Sequence, residues 1–333
     1  MPGAYSFDRL RFSVRRCRAC PARPTSHVRA VVLEATGGPE NLVVREVPEP
    51  EAGEGQVVVD VRAAGINFAD VLIRTGNYPQ LPEFPAVLGS EVAGELEGRR
   101  VFGFTRALAG GYAARAVVER RWLLPLPERA SFAEGAAFPL AFLTAWIPVT
   151  QLVRIGFGSR VLVTAAAGAV GTAALQLVKT LNGRPVAAVG SEEKLELTRS
   201  LGADEGVTYD ELGTLEPVDV VFDLVGGDVF KSALALLKPL GSAVAVGYAG
   251  GLWEDVSPAW LVGRNIGVHG FYLGRLTALR PDLVEQAAKD VLRLWEGGVV
   301  RPIVGHELPL DQAGEAHKLI EERKTTGKVV LIP

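Results

Sequence analysis

An α/β fold in two domains is predicted by three features of the sequence. From Val28 to about Leu140, short Val-rich runs (VRAVVLE, NLVVREV, GQVVVDVRAAGI, SEVAGELEGRRVFGF, GGYAARAVVE) alternate with Gly, Pro and acidic turns, the pattern of closely spaced antiparallel strands. From about Phe142 to Gly274, fully apolar runs (RVLVTAA, RPVAAVG, VDVVFDLVG, GSAVAVG) alternate with stretches of helical spacing (TAALQLVKTL, SEEKLELTRSLG, DVFKSALALLKPL). Strands without a polar face need cover on both sides, so this part is predicted to be a parallel sheet wound with helices. The third part, from about Arg275 to Pro333, reads helix (PDLVEQAAKDVLRLWEGG), strand (VVRPIVGHELPL), helix (DQAGEAHKLIEERK) and end strand (GKVVLIP). No internal repeat or low-complexity tract breaks the body.

At about 150 residues per domain, a chain of 333 residues has room for two. Apolar residues at 48% and charged residues at 22% are the composition of a folded chain, and a net charge of -3 supplies no global basic field for nucleic acid or anionic membrane. That charge is unevenly placed: residues 1–27 carry six arginines against Asp8, a balance of +5, which leaves -8 on residues 28–333. Cys17 and Cys20, the only cysteines, also lie in this extension, so the body can form neither a disulfide nor a cysteine-ligated zinc site. The extension is read as a loose tail or a mis-called translation start. It lacks the apolar stretch of a secretory signal, and its Arg-rich, acid-poor composition keeps organelle import as the alternative to a cytoplasmic protein. Two uncharged runs, Gly135 to Val153 and Val161 to Val178, contain prolines or small-residue breaks and are read as buried elements rather than membrane spans.

The strongest chemical signal follows the strand Arg160 to Val163. There Ala166-Ala167-Gly168-Ala169-Val170-Gly171 opens the helical TAALQLVK, a G-x-G-x-x-G fingerprint with Ala in first place. Gly168 lets a pyrophosphate approach the backbone, Gly171 lets the helix pack closely on its strand, and the helix N-terminus offers free N–H groups to phosphate. About 20 residues on, an NAD enzyme places an acid against the ribose 2′-hydroxyl. Here the chain reads Val189-Gly190-Ser191-Glu192-Glu193-Lys194, with no acid at Gly190 or Ser191 and a cation at Lys194 within reach of a 2′-phosphate. NADP(H) is therefore the expected cofactor, with Glu192 leaving NAD as the alternative.

Further motifs are GINFADVLIRTGNYP (Gly65 to Pro79), FPAVLGSEVAGE (Phe84 to Glu95), LTAW (Leu143 to Trp146), VVFDLVGG (Val220 to Gly227), GYAGG (Gly247 to Gly251) and the terminal RKTTGKVVLIP. With the glycine turn, in this order, they make the chain from Val28 to Pro333 resemble the zinc-independent quinone oxidoreductases of the medium-chain dehydrogenase/reductase superfamily. The resemblance implies a GroES-like β-rich catalytic domain from residues 28–144 and 275–333, and a Rossmann domain, the doubly wound parallel sheet that binds NADP(H), from residues 145–274. It also implies a homodimer through the sheet edge near Gly267 to Leu273. Zinc-bearing relatives hold the metal with a Cys and a His at the positions of Asn67 and Ser90, neither a good ligand. Quinones and α,β-unsaturated carbonyls are the fitting substrates, since conjugation already makes them hydride acceptors.

By the same resemblance Asn67 contacts the nicotinamide ribose region and substrate, and Thr144 lies near the nicotinamide. Gly168, Ala169, Val170 and Gly171 line the pyrophosphate, Ser191, Lys194 and Tyr209 face the adenosine phosphate end, and Val225, Gly247 and Tyr248 flank the ribose. Phe271 and Lys328 close the cleft. Tyr78, in Gly76-Asn77-Tyr78-Pro79, is the candidate to orient an acceptor oxygen or donate a proton. That segment also resembles enoyl thioester reductases, which remain the alternative activity; a catalytically idle NADPH-binding protein is the alternative of another class. Phe68, Phe142, Trp146, Phe271 and Tyr272 are expected near an apolar pocket, with plain core packing as the alternative, and His269, His306 and His317 as ordinary packed or surface residues. The chain departs from the family in VAGELEGRRVF, a connection about ten residues short.

Overall fold

The computed structural model describes residues 26–333, so Cys17, Cys20 and the readings placed on the Arg-rich extension lie outside the described residues. The first part of the chain forms β1 (His27–Leu33), β2 (Leu42–Pro48), β3 (Gln56–Ile66), β4 (Ala86–Val87), β5 (Glu91–Leu96), β6 (Arg99–Phe104), β7 (Arg115–Glu119) and β8 (Leu124–Pro125). The middle part forms β9 (Arg160–Thr164), β10 (Arg184–Val189), β11 (Glu205–Thr208), β12 (Val218–Asp223), β13 (Leu237–Ala245) and β14 (Gly267–Gly270). Two strands close the chain, β15 (Val304–Pro309) and β16 (Lys328–Ile332).

β3 is the spine of the β-rich domain. It pairs antiparallel with β5 and β7 and, from the far end of the chain, with β16, which carries β15 alongside it. Strands from both ends of the chain thus share this sheet. The short VAGELEGRRVF connection is a two-residue hairpin: Leu96 faces Arg99 across Glu97 (φ 51°) and Gly98 (φ 76°), the left-handed pair that matches strand twist.

The middle strands form one all-parallel sheet in the order β11-β10-β9-β12-β13-β14. Counted from β9 this is 3-2-1-4-5-6, the doubly wound Rossmann order, whose direction reverses between β9 and β12. Its helices are α4 (Ala169–Thr180), α5 (Leu195–Ser200) and α6 (Gly227–Ala235), with α7 (Pro258–Arg264) before β14. In the β-rich domain lie α1 (Phe68–Thr75) and α2 (Phe132–Ala137); α3 (Pro139–Gln151) and α8 (Leu273–Leu279) run through the expected domain joins at 144/145 and 274/275. The C-terminal segment adds α9 (Pro281–Glu296) and α10 (Ala313–Glu321).

One local reading is corrected, and two elements lie where the sequence pattern shows none. The helical reading of DVFKSALALLKPL ends at Ala235, and Leu237 to Leu240 begin β13; Pro239 has no N–H for a helical bond and Leu240 takes a left-handed φ of 67°. GINFADVLIRT conceals α1, started where Asp70 Oδ2 accepts the backbone N–H of Asn67 (2.8 Å) and stopped by Gly76 at φ 80°. EGVT forms β11 with one large apolar residue, too little for a hydrophobic pattern to show.

Both uncharged runs are buried as α2–α3 and β9–α4, and among the described residues no helix is long and apolar enough to cross a membrane. The largest core joins the domains through aromatic stacking: Phe138 lies 4.5 Å from both Phe142 and Trp295, with Phe102 edge-on to Phe138 and Trp295. This corrects the pocket reading of Phe142 and Trp146. Leu140, Thr144, Ile147 and Gln151, at helical spacing, form the cleft face of α3, whereas Phe142 and Trp146 turn into the core.

Candidate active site

A cavity of about 1740 Å³ opens between the β-rich domain and the C-terminal ends of β9, β10, β12 and β13, the crevice where strand order reverses. Its walls include Asn67, Tyr78, Thr144, Gly168, Ala169, Val170, Gly171, Lys194, Tyr209, Val225, Gly247, Tyr248 and Phe271 from the sequence reading. Phe68 and Tyr272 are also there. Ser191 and Lys328 are not on the wall. Ser191 Oγ turns to Glu193 (3.2 Å), and Lys328, 1% exposed, is buried behind Asn67 rather than closing the cleft.

The glycine turn is shaped by two different constraints. A Cβ on Gly171 would lie 2.2 Å from the carbonyl oxygen of Ala165 and 2.6 Å from Cα of Ala166, so close helix–strand packing forbids a side chain. A Cβ on Gly168 would meet only the Ala165 oxygen, at 3.3 Å, and otherwise project into open space. Packing leaves that space unfilled, at the N-terminus of the twelve-residue α4, where backbone N–H groups face outward. The C-terminal segment clasps the turn, with Gly327 N–H donating to the Ala167 oxygen (2.7 Å).

Across the switch point, Thr164 at the end of β9 donates to Asp223 at the end of β12 (2.7 Å), and Asp223 accepts the Gly226 N–H (2.9 Å). Burial raises the Asp223 carboxyl above its usual range. At the β10 end, the Tyr209 hydroxyl accepts the Ala165 N–H (3.2 Å) and Lys194 Nζ donates to the Arg323 carbonyl (2.5 Å). Arg323, which opens the terminal RKTTGKVVLIP motif but has no role in the sequence reading, lines the cleft beside Lys194, while Glu192 does not. Burial lowers the Lys194 ammonium below its usual range. At the opposite end, the Tyr78 hydroxyl donates to that of Tyr272 (2.9 Å); burial and this bond push the Tyr78 phenol far up, so Tyr78 keeps its proton.

Beneath the floor runs a buried polar network that hydrophobic patterning missed. Lys328 Nζ donates to Asn67 Oδ1 (2.5 Å) and to the Glu91 carboxylate. Asn67 Nδ2 donates to Ser90 Oγ (3.1 Å) and Glu91 Oε1 (3.0 Å), and Leu140 N–H reaches Glu91 Oε2 (2.8 Å). Both amide hydrogens of Asn67 are therefore committed within the protein. Deeper still, Tyr112 donates to Asp70 (3.0 Å), while Arg74, which can only donate, faces His317 Nδ1 (3.4 Å) and fixes the ring proton on Nε2, toward Tyr112 (3.3 Å).

Burial, then the Arg74 charge, lowers His317 to about 3, and burial raises Asp70 to about 6. The His317 contribution is complete above its unfolded pKa of about 6.5 and is lost as pH falls toward 3, because the unfolded chain binds a proton that the native one refuses. The Asp70 contribution is complete below about 3.8 and is lost as pH rises through 6. Between these limits the two oppose. Urea unfolding at pH 6.5, 5.5 and 4.5 is expected to show His317→Gln gaining on the native protein by about 1.4 kcal/mol per pH unit of acidification. A pH-independent difference would mean that His317 titrates alike in both states.

A doubly wound sheet clasped by a β-rich domain built from both ends of the chain, with a cleft at the switch point, defines a medium-chain dehydrogenase/reductase. Residues 53–100 match the Alcohol dehydrogenase GroES-like domain, and residues 201–331 the Zinc-binding dehydrogenase family. The chain is 33% identical to the quinone oxidoreductase-like protein 2 homolog of Nematostella vectensis, over 96% of this chain and 93% of that relative. Such coverage runs into the N-terminal extension. The human synaptic vesicle membrane protein VAT-1 homolog is 31% identical over 92% of this chain and 86% of its own. Among solved structures, the quinone oxidoreductase of Thermus thermophilus, also determined in complex with NADPH, superposes with a TM-score of 0.83 at 40% identity, covering 92% of this chain and all of that one. The chain belongs to the zinc-independent quinone oxidoreductase family of the medium-chain dehydrogenase/reductase superfamily. Among the described residues no group of three or more His, Cys, Asp or Glu side chains is placed to hold a metal ion.

Proposed function

We propose that this protein uses NADPH to reduce quinones or the activated C=C bond of α,β-unsaturated carbonyls, without zinc. The observation that carries the reading is the unfilled space at Gly168, at a helix N-terminus on the wall of an otherwise largely apolar cleft. That cradle fits a pyrophosphate, and the residues that would hold the dinucleotide are Gly168, Ala169 and Val170 at the phosphates, Lys194, Tyr209 and Arg323 at the 2′-phosphate end, and Thr144, Val225, Gly247, Tyr248 and Phe271 toward the nicotinamide. NADPH, when bound, supplies the hydride. The chain's own residues orient the acceptor and exclude water.

Donor chemistry favours the zinc-free reading. Asn67 and Ser90 offer an amide and a hydroxyl, and the Lys328 ammonium bonded to Asn67 repels a second cation. A cytoplasmic homodimer completes the proposal. β14 is one edge of the parallel sheet, and Val262 of the neighbouring α7 and Leu240 are strongly exposed; light scattering at micromolar concentration reads the assembly directly.

The test is NADPH oxidation followed across quinones, alkenals and 2-enoyl thioesters, with NADH in parallel. Quinone or alkenal turnover with NADPH preferred supports the reading. Preference for a 2-enoyl thioester moves the activity to the second reading, which the GNYP segment favours, and NADPH binding without oxidation of any acceptor sinks both. The hydrogen-bonded Tyr78–Tyr272 pair uses one hydroxyl hydrogen internally and leaves the other O–H to offer the cleft. Tyr78→Phe, and more so Tyr78→Phe with Tyr272→Phe, is expected to slow an enone about a hundredfold and a quinone far less, since a quinol takes its protons from water. Equal small losses on both acceptors remove the pair from the chemistry.

A further inference from the structure

We propose that Ser90, rather than Asn67, donates the hydrogen bond that fixes the acceptor's oxygen in the cleft, and that the buried Lys328–Glu91 pair holds Asn67 so that Ser90 must do so. The inference rests on the acceptor reading above and assigns the residue that receives that acceptor.

The argument is a count of hydrogens. The Asn67 amide cannot be turned over: its Oδ1 faces the Lys328 ammonium (2.5 Å), which only donates, and its Nδ2 faces the Glu91 carboxylate (3.0 Å), which only accepts. The second Nδ2 hydrogen therefore goes to Ser90 Oγ (3.1 Å), and Asn67 has no N–H left for a ligand. Ser90 Oγ must accept in that bond. A serine hydroxyl carries one hydrogen, and that of Ser90 has no acceptor among the described residues. Ser90 stands on the cleft wall beside Asn67, at the mouth of β5, 6% exposed. A donor so placed, unspent and nearly excluded from water, is satisfied by an oxygen of whatever occupies the cleft.

The donor is also strengthened from behind. The chain runs Lys328 ammonium to Asn67 carbonyl, Asn67 amide hydrogen to Ser90 oxygen, and Ser90 hydrogen to the ligand, each bond polarising the next in the same direction. A carbonyl or quinone oxygen gaining negative charge is the ligand such a chain suits best.

The experiment reads this bond without turnover, using 4-nitrophenol as an oxygen-bearing probe on the protein with NADP+ present. The absorbance of bound probe, titrated with pH, gives the ionisation of the phenol in the site. Native protein is expected to favour the bound phenolate, and Ser90→Ala to raise the apparent pKa of the bound probe by about one unit and weaken phenolate binding about tenfold. NADPH binding, followed by its fluorescence, should be unchanged in that variant, which a general collapse of the site would not allow. Ser90→Thr, which keeps the hydroxyl, should restore the native probe pKa. Ser90→Cys, a weaker donor of similar size, should fall between the two and serves if Ser90→Ala does not fold.

An unchanged probe pKa in Ser90→Ala, or no probe binding by the native protein, overturns the proposal. The two readings fail separately. A Ser90-dependent probe shift in a protein that oxidises no NADPH keeps the donor and loses the activity. Native quinone turnover with a probe indifferent to Ser90 does the reverse.

Discussion

Replacing Lys328 by methionine is expected to lower the free energy of unfolding by about 3–5 kcal/mol, measured by urea denaturation at neutral pH. Lys328 and Glu91 are 1% and 0% exposed, so removing the ammonium strands a carboxylate with no water to solvate it. The penalty is that of an uncompensated buried charge, which exceeds what the pair contributes when intact. Adding Glu91→Gln should therefore recover most of the loss. With both charges gone the Asn67 amide is free to turn over, and its oxygen can accept from the new Gln amide while the Leu140 N–H keeps an acceptor. A single-variant loss under about 1 kcal/mol, or a double variant no better than the single, would mean that the two groups are not coupled as drawn.

This network marks the boundary of what sequence reading reached. The parallel sheet and the glycine turn were legible because apolar runs of strand length and a G-x-x-G spacing are local signals, whereas a β-rich domain drawn from both ends of the chain followed only from the family resemblance. Lys328 was legible as important and misplaced as to where. It sits 261 residues from Asn67, and only the antiparallel pairing of β16 with β3 brings the two together. In the sequence Ser90 is visible only as a poor metal ligand, because its value lies in a hydrogen left over after its neighbours' bonds are counted. Arg323 escaped for a similar reason: nothing in its neighbourhood reveals that the chain end folds back beside Lys194. Residue type alone points Phe142 and Trp146 to the pocket, whereas the helical phase of α3 gives the cleft to Thr144 and Ile147. That phase was available in the sequence. What was not available was which face of the helix meets the cleft.

The glycine turn yields the sharpest separation between folding and binding. Gly171→Ala is expected to cost about 3 kcal/mol of stability, because the new methyl group would press on backbone atoms of Ala165 and Ala166 that cannot swing aside as a flexible side chain would. Gly168→Ala should fold almost as well as the native protein. Its φ of -79° suits alanine, the one close neighbour stands at 3.3 Å, and the unfolded chain loses some freedom in compensation. Its methyl group would, however, stand in the space argued above to receive the pyrophosphate, lifting the anion away from the N–H groups of α4. With charge-assisted bonds contributing about 1.5–3 kcal/mol, NADPH affinity should fall roughly 10- to 100-fold. Thermal melting and NADPH fluorescence titration on the two variants separate the effects. The expected pattern is an unchanged melting temperature with weak binding for Gly168→Ala, and a depressed melting temperature for Gly171→Ala. If Gly168→Ala bound NADPH as tightly as the native protein, the cofactor would not lie against this turn. The space there would then need another occupant, since nothing in the chain's own packing fills it.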